Sequence, residues 1–299
     1  MSIDISRILV ILLALYASSL WAKPHFVGAE ECAECHESSH DVWKDTKHFS
    51  SFKKAHRARE ARKIAKAVGG RNMKKTELCA TCHYTVVSAK LDSGPSCESC
   101  HGPASEWIDI HNDYGGEGVK KEQETAAHKE DRIAKSISAG MIQPSNLFGV
   151  AMNCNSCHGF GTDELSADSI TKMVDAGHPL TSEFELVSYA NGSVRHRFYP
   201  PDVTLNKEMS LSEQAEMYVV GQVVALITAK SSVDKSDHPK FKSFQKARID
   251  AAKSVLSTIP EAKTFIENPT EVEGRKLVKA LPNILKVDSI KKFLPKKFK

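Results

Sequence analysis

The chain's eight cysteines fall into four pairs of one spacing, and each pair is closed by a histidine. The segments read CAECH (Cys32, Cys35, His36), CATCH (Cys79, Cys82, His83), CESCH (Cys97, Cys100, His101) and CNSCH (Cys154, Cys157, His158). A C-x-x-C-H segment is the attachment signature of a c-type haem: two thiols form thioethers to the porphyrin, and the histidine gives iron its proximal nitrogen. One such segment could be half of a zinc site, and eight thiols in an exported chain could form four disulfides. Four copies that use every thiol favour four covalently bound haems instead.

Thirteen histidines less four proximal ones leave nine. A second axial histidine makes a haem six-coordinate and suited to electron transfer, because neither ligand has to leave; an open distal face admits a substrate. His48, Phe52 and His56 recur at i, i+4 and i+8, so they share one face of a charged helix expected over HFSSFKKAHRAREARKIAKAVGG and stopped by Gly69 and Gly70. His111 closes CESCHGPASEWIDIH, His178 precedes a proline in AGHPLTSEFEL, and His196 lies in FELVSYANGSVRHRFY. His25, His40, His128 and His238 have polar surroundings and receive no role.

The elements that must position these residues are mainly helical. FELVSYANGSVRHRFY is the exception. It reads as a β-hairpin turning at Asn191-Gly192, with Val187, Tyr189, Val194, His196 and Phe198 on one face. YGGEGVKKEQETAAHKED is polar and glycine-bearing, a surface loop. Ser210 and Glu213 form a capping box that opens a helix with Ala215, Val219, Gln222, Val223 and Leu226 at helical spacing. A second helix runs from about Lys240 to a stop before Pro260, and Pro269 and Pro282 punctuate shorter ones. These helices would pack against one another or cover the haem region.

At the front, Arg7 precedes an apolar run of about 14 residues, roughly 21 Å as a helix against a bilayer core of ~30 Å. Residues 1–22 therefore read as a signal peptide cleaved after Ala22 and not as a stable membrane span, which places the mature chain in the periplasm. Residues 23–201 form a haem-binding domain and 202–299 a helical C-terminal region. Aromatic residues are only 7% and charged residues 26%, a thin supply for a core that four flat porphyrins would supplement. The formal charge of +4 does not point to nucleic acid, and the terminal KKFLPKKFK reads as a solvated tail. The expected fold is a mainly α multihaem cytochrome c with one small hairpin and a helical tail.

CAECHESSHDVWKDTKH resembles the opening of the tetrahaem cytochrome c-554 family, electron carriers serving hydroxylamine oxidoreductase in ammonia oxidisers, and the likeness runs from about residue 31 to 158. In that family a Trp-Lys-Asp-Thr-x-His segment lends its histidine to the third haem. The resemblance thus implies that His48 serves the haem of Cys97 and Cys100. The histidine ten residues past the motif histidine of CESCHGP, here His111, is implied for the haem of Cys154 and Cys157. The first haem would draw on His178 or His196. The second is five-coordinate in the family, and His56 or the remaining one of that pair could close it here. The resemblance also implies close haem pairs, one with three and two with four. It makes the protein a carrier between donor and acceptor redox proteins. The rival is an oxidoreductase with one open haem acting on a small nitrogen or sulfur compound.

Overall fold

A computed structural model describes residues 23–181, 184–199 and 202–299; the leader lies outside them. Among these residues are fifteen α-helices and one two-stranded antiparallel sheet, so the mainly α expectation holds. No helix among them is long and apolar enough to cross a membrane.

The motif-bearing segment consists of short helices. In chain order these are α1 (Ala29–Ala33), α2 (Glu37–Lys44), α3 (Lys47–Lys54), α4 (Ala61–Ala67), α5 (Glu77–His83), α6 (Cys97–His101), α7 (Ala126–Ser138) and α8 (Leu147–His158). Motifs two, three and four each end a helix, which sets their cysteines one turn apart on one side with the histidine beside them. Motif one leaves α1, and His36 stands at the head of α2. Thr46 starts α3 by accepting from the Phe49 N–H, while Trp43 Nε1 donates to the Pro95 carbonyl at 2.9 Å. The Trp-Lys-Asp-Thr-x-His segment is therefore an anchor and a cap that aim His48.

Two expected elements differ here. The charged helix is broken: α3 ends at Lys54, a 3₁₀ turn covers Ala55–Arg57, and Ala58 turns extended before α4. His56 thus leaves the face that carries His48 and Phe52. The supposed loop before residue 130 already becomes α7 at Ala126, where the Thr125 hydroxyl accepts from the His128 N–H.

The hairpin is real but lies elsewhere. Strands β1 (Thr85–Val87) and β2 (Lys90–Ser93) follow motif two directly and pair antiparallel. Ser88 and Ala89 between them both have positive φ, 47° and 62°, the geometry that Asn-Gly usually supplies to a two-residue turn. The expected hairpin at Asn191-Gly192 is a helix instead. Beyond α9 (Ala167–Asp175), α10 (Leu186–Ala190) forms because the Glu185 carboxylate accepts from the Val187 and Ser188 N–H groups. The chain's last residue then takes the place of a partner strand: Lys299 N–H donates to the Ser188 carbonyl, and Ser193 N–H donates to the Lys299 carbonyl.

The C-terminal part comprises α11 (Leu211–Ser232), α12 (Pro239–Leu256), α13 (Lys263–Glu267), α14 (Glu271–Ile284) and α15 (Val287–Lys291). Ser210 and Glu213 make the expected reciprocal cap on α11. Pro282 sits inside the end of α14 and does not stop it. Val219, Val220, Val223, Val224 and Leu226 of α11 are fully buried, at ~1.5–3 kcal/mol apiece. The cluster they centre includes Phe148 and Ala151 of α8, the helix that ends in motif four. A second cluster joins Ile64 and Ile170 to Phe160, Phe241 and Phe244. The helices thus pack on one another and also cover a haem motif.

The segment from 23 to 146 has almost no such core. Its buried apolar residues number eight, and four of them are alanines. Polar ties help to hold it: Glu98 inside motif three is 1% exposed, and its oxygens accept from the N–H groups of Val27, Gly28 and Ala104. So little buried apolar surface does not fold a segment of this length without another filler.

Candidate haem-binding site

Each motif histidine faces one other histidine. The ring centroids are 6.4 Å apart for His36 and His111, 6.1 Å for His48 and His158, 6.2 Å for His83 and His178, and 6.2 Å for His101 and His196. These separations exceed ring stacking, yet they agree within a few tenths of an ångström. An iron held between two imidazole nitrogens at ~2 Å each sets the centroids roughly 6 Å apart. The gaps suit one iron per pair.

The outer ring nitrogens support this. His101 Nδ1 meets the Ile142 carbonyl at 2.9 Å, His111 Nδ1 the Ile108 carbonyl at 2.6 Å, His178 Nδ1 the Pro179 carbonyl at 3.0 Å and His196 Nδ1 the Val194 carbonyl at 2.6 Å. A carbonyl only accepts, so Nδ1 carries the proton and Nε2 keeps its lone pair for a metal. Burial lowers the pKa of His36, His48, His101 and His178, and pushes His83 and His158 down to about 4. Neutral imidazole, the form that binds iron, is the result.

The residues without a role are occupied differently. His238 Nε2 pairs with Asp175 while its Nδ1 accepts from the Lys240 N–H, and His128 Nδ1 pairs with Glu124. His56 has no ring contact with a motif histidine among the described residues; His178 has taken the place beside His83, with Phe160 edge-on at 5.4 Å.

Three partnerships differ from those the resemblance implied: His196, implied for motif one or two, stands against His101 of motif three. His48 stands against His158 of motif four, not His101 of motif three. His111 stands against His36 of motif one, not His158. The cause is where the short helices carry the chain. Trp43 ties the end of α2 beside Pro95 at the head of motif three, and the first turn of α3 then sets His48 against His158 at the end of α8. The turn after motif three carries Trp107 and His111 back to motif one, with the Trp107 ring edge-on to His111 at 5.2 Å.

The thiols show how the motifs adjoin. The Cys32 thiol lies beside that of Cys97, Cys100 beside Cys154, and Cys82 beside Cys157. Motif one thus touches three, three touches four, and four touches two.

Haem fits these residues. Tyr84 Oη, Trp107 Nε1, Arg195 Nε and Arg197 Nε are buried without a hydrogen-bond partner, and each lies close in sequence to a histidine of a pair. All are donors, and haem propionates are acceptors. Sequence reasoning missed the Trp107, Arg195 and Arg197 donors, and it missed Phe184, which stacks on His158 at 4.3 Å and 10°. Neither group carries a spacing signal.

Residues 31–102 match the family described as cytochrome c554 and c-prime. Cytochrome c-554 of Nitrosomonas europaea is 27% identical over 152 residues, which cover 47% of this chain and 60% of the relative's length. No solved structure matches the chain. The resemblance read from the motifs is therefore borne out over part of the chain.

Proposed function

We propose that this chain is an exported tetrahaem c-type cytochrome that passes electrons between a donor and an acceptor redox protein. Haem iron supplies one-electron chemistry, at a potential set by axial ligands, burial and hydrogen bonds. Cys32 and Cys35, Cys79 and Cys82, Cys97 and Cys100, and Cys154 and Cys157 would hold one porphyrin each. His36, His83, His101 and His158 are the proximal ligands; His111, His178, His196 and His48 respectively close the opposite faces. In this reading residues 1–22 direct export to the periplasm, 23–201 bind the haems, and 202–299 brace motif four.

One observation carries the reading: every motif histidine faces a second imidazole at 6.1–6.4 Å. Side chains tied to backbone carbonyls need not leave when an electron arrives, which keeps reorganisation small. An oxidoreductase acting on a small nitrogen or sulfur compound needs one free face. The approach of His178 to His83 weighs against that alternative at the one motif where the family leaves it open. The thiol contacts support the order two, four, three, one for electron passage.

The test is electron paramagnetic resonance of the oxidised, haem-loaded protein, with haem number from intact mass. Four haems with only low-spin signals are expected. A high-spin signal from about one iron in four, with turnover of hydroxylamine, nitric oxide or sulfite, would replace the carrier reading with an enzymatic one.

A further inference from the structure

Arg248, from the middle of α12, inserts its guanidinium behind motif four. Nη1 donates to the Gly159 carbonyl at 3.1 Å and to Gln245 Oε1 at 2.7 Å; Nη2 donates to Asn155 Oδ1 at 2.6 Å and to Thr228 Oγ1 at 2.9 Å. Asn155 lies between the two motif cysteines, and Gly159 follows His158. A Cβ at Gly159 would come within 2.6 Å of Nη2, so the glycine is what admits the guanidinium. Arg248 and His158 also line one cavity of about 280 Å³.

Every acceptor of this cation is neutral. No carboxylate among the described residues pairs with this half-buried arginine within 4.0 Å. Glu185 lines the same cavity, but its oxygens are spent on the Val187 and Ser188 N–H groups and not on Arg248. Burial lowers the Arg248 pKa, to about 10, which still leaves it charged at neutral pH. The outcome is one fixed positive charge beside motif four that no protein carboxylate within 4.0 Å cancels.

We infer that Arg248 is a positioning and tuning residue of the fourth haem, whose charge holds that haem's reduction potential up. The inference rests on the haem assignment above. Reduction removes one positive charge from the iron, so a nearby fixed cation favours the ferrous form, and low local polarity enlarges the effect. Motif four lies inside the order two, four, three, one. A raised potential there makes it the place where an electron rests, between the two ends from which partners would load and unload the chain.

The test is a spectroelectrochemical titration at pH 7 of wild type, Arg248→Gln and Arg248→Lys, each first shown by mass to carry four haems. His48→Met, which exchanges one axial ligand for thioether and raises that haem's potential, identifies the step belonging to motif four. Arg248→Gln should shift this step downward by tenfold or more in its equilibrium constant, ~59 mV for one electron. Arg248→Lys should shift it by less than half as much, and the other steps should move less than the marked one. An unmoved or raised step overturns the inference, as does an equal shift in the Lys and Gln variants, which would mark a structural effect. Should Arg248→Gln fail to assemble, Arg248→His titrated from pH 5 to pH 8 supplies the charge change within one protein. Its marked step must fall with pH by more than wild type's, or the inference fails. A wild-type chain lacking haem at Cys154 and Cys157 would instead refute the underlying assignment.

Discussion

His48 stands against His158 with ring centroids 6.1 Å apart and planes tilted by 42°, although one opens the third helix and the other ends the eighth. The contact closes the motif-bearing segment on itself and sets His48 beside the histidine of motif four. His48→Ala should convert one of four low-spin haems to high-spin, seen by electron paramagnetic resonance. In a background where Cys154 and Cys157 are both replaced by alanine, the same change should add no high-spin signal. An added signal there would return His48 to motif three.

Gly94 sets the approach of that helix. A Cβ at this position would lie 2.0 Å from the His48 carbonyl oxygen and 2.7 Å from Ser51 Oγ, so neither backbone can stay in place. Gly94→Ala should cost about 1–3 kcal/mol, the usual range for overpacking, and should raise a partial high-spin signal as His48 is displaced. Unchanged thermal stability with four low-spin haems would show that the contact is looser than this.

How much of this was legible beforehand follows from the kind of signal each feature leaves. Motifs and proximal histidines are written in spacing, and the Ser210–Glu213 cap on α11 in residue type. The hairpin was misplaced because its turn uses Ser88 and Ala89, not the Asn-Gly pair that the rule seeks; Asn191 instead ends α10. The partner of each motif histidine depends on where helices of five to thirteen residues point, which local periodicity does not encode. The family likeness pointed to His48 and His111, but implied for each a motif other than the one whose histidine it stands against here. Arg248 had no signal in the sequence, since a single arginine on an amphipathic helix reads as a surface charge.

Motif two gives the sharpest contrast between two histidines. His178 follows the glycine that ends α9, where its N–H donates to the Met173 carbonyl and its ring lies 6.2 Å from His83. His56 sits in a 3₁₀ turn off the face that carries His48. His178→Ala should yield a high-spin haem that binds carbon monoxide when reduced, whereas His56→Ala should leave the spectrum unchanged. The reverse pattern would give motif two to His56 and would reopen the enzymatic reading.

Acid should loosen the strap that ties α7 to His111, the histidine beside motif one. Arg132 donates from Nε and Nη2 to Glu124 at 2.6 and 2.7 Å and from Nη1 to the carbonyl oxygen of His111 at 2.5 Å, binding α7 to that histidine. The hydrogen bond from Arg132 outweighs desolvation and, helped by His128, holds the Glu124 carboxyl down at about 2, against an ordinary value of 4.5. In the unfolded chain this carboxylate takes up its proton near that ordinary value, while in the fold it does not. The stabilisation is therefore complete above about 4.5 and is lost as pH falls towards about 2. Between those limits the melting temperature of wild type should fall more steeply than that of Glu124→Gln. Hydrogen exchange should show the Ala126–Ser138 helix opening first as the pH drops. Parallel melting curves for the two proteins across this window would mean that the Glu124–Arg132 pair does not hold the strap.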